Sequence, residues 1–366
     1  MYQADPDPSA RTNLWSTLGR WQGDFVELAG FVGSLGDEPF VADLCRGMGM
    51  MSTAETSSEV RDAWRPILEQ WYTKTTRAET HSAAGWALRQ WSLPLPGLQT
   101  QKAPKENPGW YVNPAGMTLL RVERGTFLRD YSHPPKPQEV EITRPFYIGD
   151  REVTRAQFLQ FRDDPVYSEK AKPKNWKPVD LGTVADAIGF PAGGVDWSDA
   201  VLFCIWLSHL EGLEPAYVKS DSVWQLNRAA DGYRLPTEAE WEYSCRAGTT
   251  FAYGIGQKSG ALKWMADTTG TTLRSGAVGM PNFFGLFDLH GNLQEWCTDY
   301  FQQAYENKAL VQDPLPEKVS RSRVVRGGSY NTGVKSWRVW HRSHLPPTSR
   351  AFDAGFRVLR PVSGPE

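Results

Sequence analysis

Two rhythms of apolar residues divide the chain. Up to Trp91 apolar side chains recur at helical spacing, and beyond Trp110 they fall into short, mixed runs. Val60, Trp64, Ile67, Leu68 and Trp71 follow one another at steps of four, three, one and three, which places them on one helical face. Phe40–Met51 carries another helix-compatible run. Asp7–Trp21 (DPSARTNLWSTLGRW) and Arg77–Trp91 (RAETHSAAGWALRQW) share a pattern in which small residues precede a helix closing on a basic residue and Trp. The two copies are offset by 70 residues with Phe40–Met51 between them, so the period is about 35, within the range of helical repeats. The expectation over 1–91 is a small all-α domain, either HEAT-like in its repeat or a plain bundle of four or five helices. Ser92–Pro108 (SLPLPGLQTQKAPKENP) then carries four prolines. Proline removes a donor and disfavours helix before itself, so 92–112 reads as a linker, with the second domain opening near Trp110.

In that second part Met117–Val122 and Val140–Ile148 read as strands, and Glu152-Val153-Thr154 leads into a helix over Arg155–Phe161. Asp196-Trp197-Ser198-Asp199 supplies capping residues ahead of Ala200–Leu210, whose stripe of Phe203, Trp206, Leu207 and Leu210 marks a core face. Pro236 and Thr237 open a further helix, in which Thr237 and Glu240 fit a capping box and Gly248 supplies the stop. Helices and strands are thus interspersed with irregular segments, an α+β pattern.

Composition sharpens this picture. With 16 Trp, 16 Phe and 13 Tyr beside 33 Gly and 26 Pro, the core is expected to be built from large aromatics inside loop-rich structure, unlike a Rossmann or bundle enzyme. The 40 basic residues nearly balance 42 acidic ones without a long like-charge run, so neither nucleic acid nor an anionic membrane is implied as a partner. The longest apolar stretch, Ala200–Leu207, is far short of a membrane span, and Met1–Ala10 is polar and proline-bearing, unlike a signal peptide. Cys45, Cys204, Cys245 and Cys297 lie far apart with no CxxC spacing, which suits a reducing compartment and a cytoplasmic location.

Four motifs occur in a telling order: Gly232–Gly248 (GYRLPTEAEWEYSCRAG), Asn282–Trp296 (NFFGLFDLHGNLQEW), Arg323–Ser329 (RVVRGGS) and Gly355–Arg357 (GFR). In this the chain resembles the formylglycine-generating enzyme (sulfatase-modifying factor) superfamily from about Pro114 to Pro361. The resemblance implies a C-type-lectin-like α+β domain over 113–362, rich in buried Trp. The segment before it resembles the HEAT-like helical region found beside such domains in some large bacterial proteins.

The motifs bear on chemistry in four ways. Asp288 and Glu295 are hard carboxylates seven residues apart with Gly291 between them to turn carbonyls inward, an oxygen mixture of the kind calcium takes. In calcium-binding relatives the matching ligands are the side chains of Asp288 and Glu295 and the carbonyls of Gly291 and Leu293, which implies a structural calcium ion. The other reading has both carboxylates bonding the turn's own backbone. Second, oxidase members of the family carry a cysteine pair where Thr332 and Trp337 follow the RGGSY of Arg326–Tyr330. Without thiolates no soft copper site forms, so formylglycine generation is not expected. Third, an iron centre of the ergothioneine-synthase type needs HxxxHxE on N-terminal helices. Only His81 occurs in residues 1–110, and the spacing of His341 and His344 lacks a nearby carboxylate before Asp353, so iron is not supported.

Fourth, Asn331–Ala354 lines the ligand face in family members and is the hypervariable surface of retroelement-diversified relatives. Here it offers Asn331, Trp337, Arg338, Trp340, His341, Arg342, His344 and Arg350. Trp and Arg anchor binding surfaces because they bury area and keep a polar handle. Alternate Trp residues in a strand equally fit a core with arginines outward. The expected function is a non-catalytic binding module, taking a protein or small-molecule ligand at this face and a protein partner on the helical domain. The alternative is a metal-dependent oxidoreductase of the same superfamily, using iron or copper at a site the sequence does not display.

Overall fold

A computed structural model describes residues 23–33, 40–129, 137–167, 189–254 and 279–362 apart from positions 52, 55, 222, 306 and 307, together with residues 17–18, Trp21, Pro173, Trp176 and Lys177. The first copy of the N-terminal pattern, Asp7–Trp21, lies largely outside the described residues.

The N-terminal region folds as α1 (Phe25–Val32), α2 (Val41–Met50), α3 (Ser58–Lys74) and α4 (Ala78–Gln90). The Asp24 carboxylate caps α1 by accepting from the amides of Val26 and Glu27, and the Ser57 hydroxyl caps α3 by accepting from Val60. The stripe read from the sequence points inward: Trp64 and Leu68 are fully buried with Val41, Cys45, Met48, Ala84 and Leu88 in one core. No helix among the described residues is long and apolar enough to cross a membrane.

The remainder is an α+β domain of small sheets. β1 (Trp110–Val112), β2 (Thr118–Val122), β5 (Phe146–Gly149) and β13 (Leu359–Pro361) form one antiparallel sheet in that order. A second runs β11 (Ser343–Leu345), β10 (Arg323–Arg326), β8 (Gln294–Tyr300), β12 (Ala354–Gly355), with the last pair parallel. A third joins β3 (Gly125–Arg129), β4 (Gln138–Ile142) and β9 (Leu310–Gln312), and β6 (Tyr217–Ser220) pairs with β7 (Val223–Leu226) as a hairpin. The single strand expected over Val140–Ile148 is therefore two, β4 and β5. Pro145 has no amide to donate and disfavours helical or ladder continuity before it, so the chain turns at Thr143–Pro145 and changes sheet.

Among the described residues three α-helices complete the domain. Those of α5 (Arg155–Asp163) and α7 (Glu238–Arg246) open with full capping boxes, Thr154 with Gln157 and Thr237 with Glu240. The third, α6 (Trp197–Glu211), is capped by Asp196 and stopped by Gly212 at φ +76°. Its Phe203 and Trp206 meet Phe158, Phe161 and Phe356 in a ring cluster at the centre of the larger core.

The segment expected to be a linker is tied to the parts of the chain on either side of it. Ala103 donates to Glu211 at 2.7 Å, Tyr147 donates to the Pro108 carbonyl at 2.6 Å, and Trp110 donates to the Thr75 carbonyl at 2.7 Å. Across the junction Trp86 packs with Met280, Phe283 and Phe287, and Arg46 donates to the carbonyls of Pro281 and Asn282. Gly285 stands at φ +88°, and a Cβ there would meet Ser82 Oγ at 2.9 Å and the Ala78 carbonyl at 3.0 Å. The NFFGLFD stretch is thus the platform on which the helices sit.

Candidate functional site

Two tight turns lie side by side at the heart of the domain. The RGGSY turn leaves β10 with Gly327 at φ +91° and Gly328 at φ +66°. A side chain on Gly328 would run into Trp337 Cδ1 at 2.6 Å, so close approach as well as conformation fixes glycine there. Thr332 Oγ1 accepts from the Ser329 amide at 2.9 Å, and Ser329 Oγ donates to Asp353 at 2.6 Å. The Gly291–Leu293 turn zips onto it: Gly291 donates to the Gly327 carbonyl and Tyr330 to the Asn292 carbonyl, both at 2.9 Å.

Trp337 fills the space beside these turns. It is 3 % exposed, and its indole N–H is shared between the Ser329 carbonyl at 2.8 Å and Thr332 Oγ1 at 3.2 Å. The Trp337 carbonyl accepts from His290 Nδ1 at 2.6 Å, while His290 Nε2 accepts from the Gly254 amide at 3.0 Å, which sets the tautomer. Burial lowers His290 to about 4, so the ring is neutral.

Cys245 Sγ lies 3.6 Å from His290 Nε2, the one thiol the fold brings toward this place. Burial pushes the Cys245 thiol up, and a neutral imidazole beside a protonated thiol is not a nucleophile pair. Cys45, Cys204 and Cys297 are buried free thiols packed in separate parts of the cores.

The four residues expected to hold a cation lie along one turn, and an arginine already serves one of them, Glu295. Arg357 is fully buried and places Nη2 and Nε each 2.6 Å from an oxygen of Glu295. It also donates to the carbonyls of Phe287 at 2.9 Å and Gly149 at 3.2 Å. Trp241 Nε1 donates to Glu295 at 2.8 Å. Glu152, fully buried next door, accepts from Asn292 Nδ2 and the Leu293 amide. Burial, then Asp288 and Glu295, push its carboxyl up. Both Glu295 oxygens are thus engaged by the guanidinium, and a calcium ion at this turn would have to share or displace those contacts. Among the described residues no group of three or more His, Cys, Asp or Glu side chains could hold a metal ion.

The expected ligand face is divided. Asn331 and His344 are exposed, and Arg338, Trp340 and His341 are half-buried, with Arg338 stacked over Trp340 at 5.9 Å. Burial, then Arg326 and Arg338, lower His341. His344 lies on the Phe301 ring at 4.2 Å. Three residues are turned to other tasks: Trp337 inward, Arg342 onto Glu238 at 2.6 and 2.9 Å, and Arg350 onto Asp196 and Asp199. Tyr330 and the exposed Phe352, ring centroids 6.2 Å apart, extend the outward surface and escaped the sequence reading. Their signal was two aromatics flanking the RGGS and GFR motifs. His81, the one histidine of residues 1–110, is stacked between Tyr72 and Trp110, and burial lowers it to about 4.

The sulfatase-modifying factor enzyme 1-like domain pattern matches residues 99–362. The formylglycine-generating enzyme of Streptomyces coelicolor is 30 % identical over 58 % of this chain and 77 % of its own length. The chaperone protein LppX of Paenibacillus barcinonensis is 25 % identical over 66 % of this chain and 89 % of its own. Among solved structures, Treponema denticola variable protein 1 superposes with a TM-score of 0.56 at 25 % identity, covering 67 % of this chain and 95 % of that one.

Proposed function

The chain belongs to the sulfatase-modifying factor enzyme 1-like family, and on that premise we propose that it is a non-catalytic binding module. Names within the similarity range from an enzyme to a chaperone, so membership fixes the scaffold and leaves the activity to the site. The observation that carries the reading is Trp337. In oxidase members of the family a cysteine pair stands at the positions of Thr332 and Trp337; here a buried indole, hydrogen-bonded to the turn itself, fills that space. A soft-metal oxidation needs two thiolates in reach of one ion. The only thiol nearby, Cys245, is buried and protonated behind His290.

What remains outward supports recognition. Asn331, Arg338, Trp340 and His341 share their surface segment with Tyr330 and Phe352, and the fold holds that segment through Ser329, Thr332 and Asp353. Aromatic and arginine side chains on a rigid loop bury area at low ordering cost. A protein or small-molecule ligand would be taken there.

The test offers the full chain a cysteine-bearing peptide with Cu(I) and oxygen, then reads the peptide by mass spectrometry. The expected result is unconverted cysteine and no stoichiometric copper or iron in the purified protein. Conversion, or either metal at one equivalent, would establish the oxidoreductase instead.

A further inference from the structure

Where the helices meet their platform, one guanidinium is left unmatched. Arg89 sits in the last turn of α4, half-buried, with Nε and Nη2 fully enclosed. Among the described residues neither nitrogen has a hydrogen-bond acceptor, and the side chain enters no ion pair. A charged donor left unmade inside a fold costs more than a neutral one, so such a group calls for an explanation.

Tyr72 supplies a second donor at the same spot. A Cβ on Gly85 would lie 3.8 Å from Arg89 Nη1 and 2.8 Å from Tyr72 Cε2, so the two side chains border one bare stretch of α4. Tyr72 is 9 % exposed, and its hydroxyl has no hydrogen-bond partner among the described residues. Burial raises it, so it keeps its proton and donates. Its ring is held by a stack on His81 at 4.6 Å, and His81 rests on Trp110 at 3.7 Å. From the platform side Phe287 backs the Arg89 guanidinium at 5.3 Å.

Two arginines and two acids meet here, equal in number, and their pairing decides what is left over. Arg151, which follows β5, lies over the same Phe287 ring at 5.2 Å and is taken by Asp150 through bonds of 2.7, 3.0 and 3.1 Å. Asp288 has a partner of its own, and that partner is not Arg89. His81 is neutral. Burial, then Arg151, lower Arg89 to about 10, and Arg151 acts on it more strongly than either acid. At neutral pH Arg89 keeps its charge, and of the four groups it is the one without a counter-ion.

We propose that this junction binds a small carboxylate, which accepts hydrogen bonds from Arg89 Nη1 and the Tyr72 hydroxyl. One negative charge matches one unpaired guanidinium, and a guanidinium edge with a hydroxyl beside it suits the two carboxylate oxygens. Tyr72 belongs to α3, Arg89 to α4 and Phe287 to the platform, so the site exists only while the helices are seated. A bound carboxylate therefore stabilises that seating. The site is apart from the 331–350 face, and no covalent bond is made or broken.

Acetate is the probe, with acetamide as the neutral counterpart of the same shape. Each is added to the full chain in chloride buffer at constant ionic strength and followed by scanning calorimetry. Acetate should raise the native Tm in a saturable way, and acetamide should leave it unchanged. Arg89→Met keeps the stem over Phe287 and removes the charge. In chloride alone it should match or exceed the native Tm, and acetate should add no saturable rise. Tyr72→Phe keeps the stack on His81 and should need about tenfold more acetate for the same rise. A rise that never saturates, an equal rise in Arg89→Met, an equal rise with acetamide, or a Tm for Arg89→Met several degrees below the native one in chloride would overturn the assignment.

Discussion

Glu295→Gln removes a charge without removing volume, and it isolates what Arg357 depends on. In the native protein the guanidinium has two 2.6 Å bonds to Glu295 and is fully buried. Burial would lower Arg357, yet Glu295 outweighs it and raises the group; a guanidinium keeps its proton in a protein, so the arginine stays charged when its partner is neutralised. Breaking a buried pair from one side costs about 3–5 kcal/mol, since an uncompensated charge is left in the core. For 366 residues the unfolding entropy is roughly 0.77 kcal/mol/K, so the loss corresponds to a Tm lowered by about 4–6 °C. Differential scanning calorimetry in calcium and in EDTA is the assay. The drop should be the same in both, and the double variant with Arg357→Met should be less damaged than the two single losses added together. If calcium instead raises the native Tm by several degrees and Glu295→Gln abolishes that rise, an ion rather than Arg357 organises the turn and the reasoning fails.

Further outcomes follow from other parts of the structure. Trp337→Ala should cost about 3–5 kcal/mol in urea unfolding, for a large buried side chain whose loss leaves a cavity; a cost under about 1 kcal/mol would mean the indole is not packed as described. Asp299 sits at about 7 when folded against an ordinary 3.8, so its contribution to stability is complete below pH 3.8 and disappears as pH rises through 7. Asp299→Asn should therefore gain on the native protein from pH 4 to pH 7, by on the order of 4 kcal/mol; parallel stability curves would contradict this. Arg46→Ala removes two bonds to the 281–282 carbonyls, and should turn a single calorimetric transition into two as the helices loosen from their platform. A single transition in the variant would show that the apolar contacts of Trp86 suffice alone.

Local chemistry was the readable part of the sequence. The capping box of Thr237 and Glu240, the cap at Asp196 and the stripe through Trp64 and Leu68 depend on neighbours a few residues away, and each is found in place. The four motifs marked the family and with it the α+β architecture. What stayed hidden depends on distant partners. Glu295 and Arg357 are 62 residues apart, and nothing in DLHGNLQE announces that a guanidinium will claim its carboxylate. Trp337 in a segment of alternating Trp and Arg fits a core or a surface equally well, and only the bonds to Ser329 and Thr332 decide. Arg342 and Arg350 were read as outward for the same reason, and they face acids on α7 and at the start of α6. Asp299 gave no sign at all, because its character comes from its surroundings.

The seat of the helices on the NFFGLFD platform also sets an order of events during synthesis. Trp86 leaves the ribosome early, while Met280, Phe283 and Phe287, which cover it, arrive nearly two hundred residues later. At about 5–20 residues per second that interval is roughly 10–40 s. For that time the nascent chain carries α1–α4, whose inner core can close but whose Trp86 face stays open. Expression at lower temperature or with a holding chaperone should therefore raise the yield of native protein, and truncation before residue 280 should abolish it.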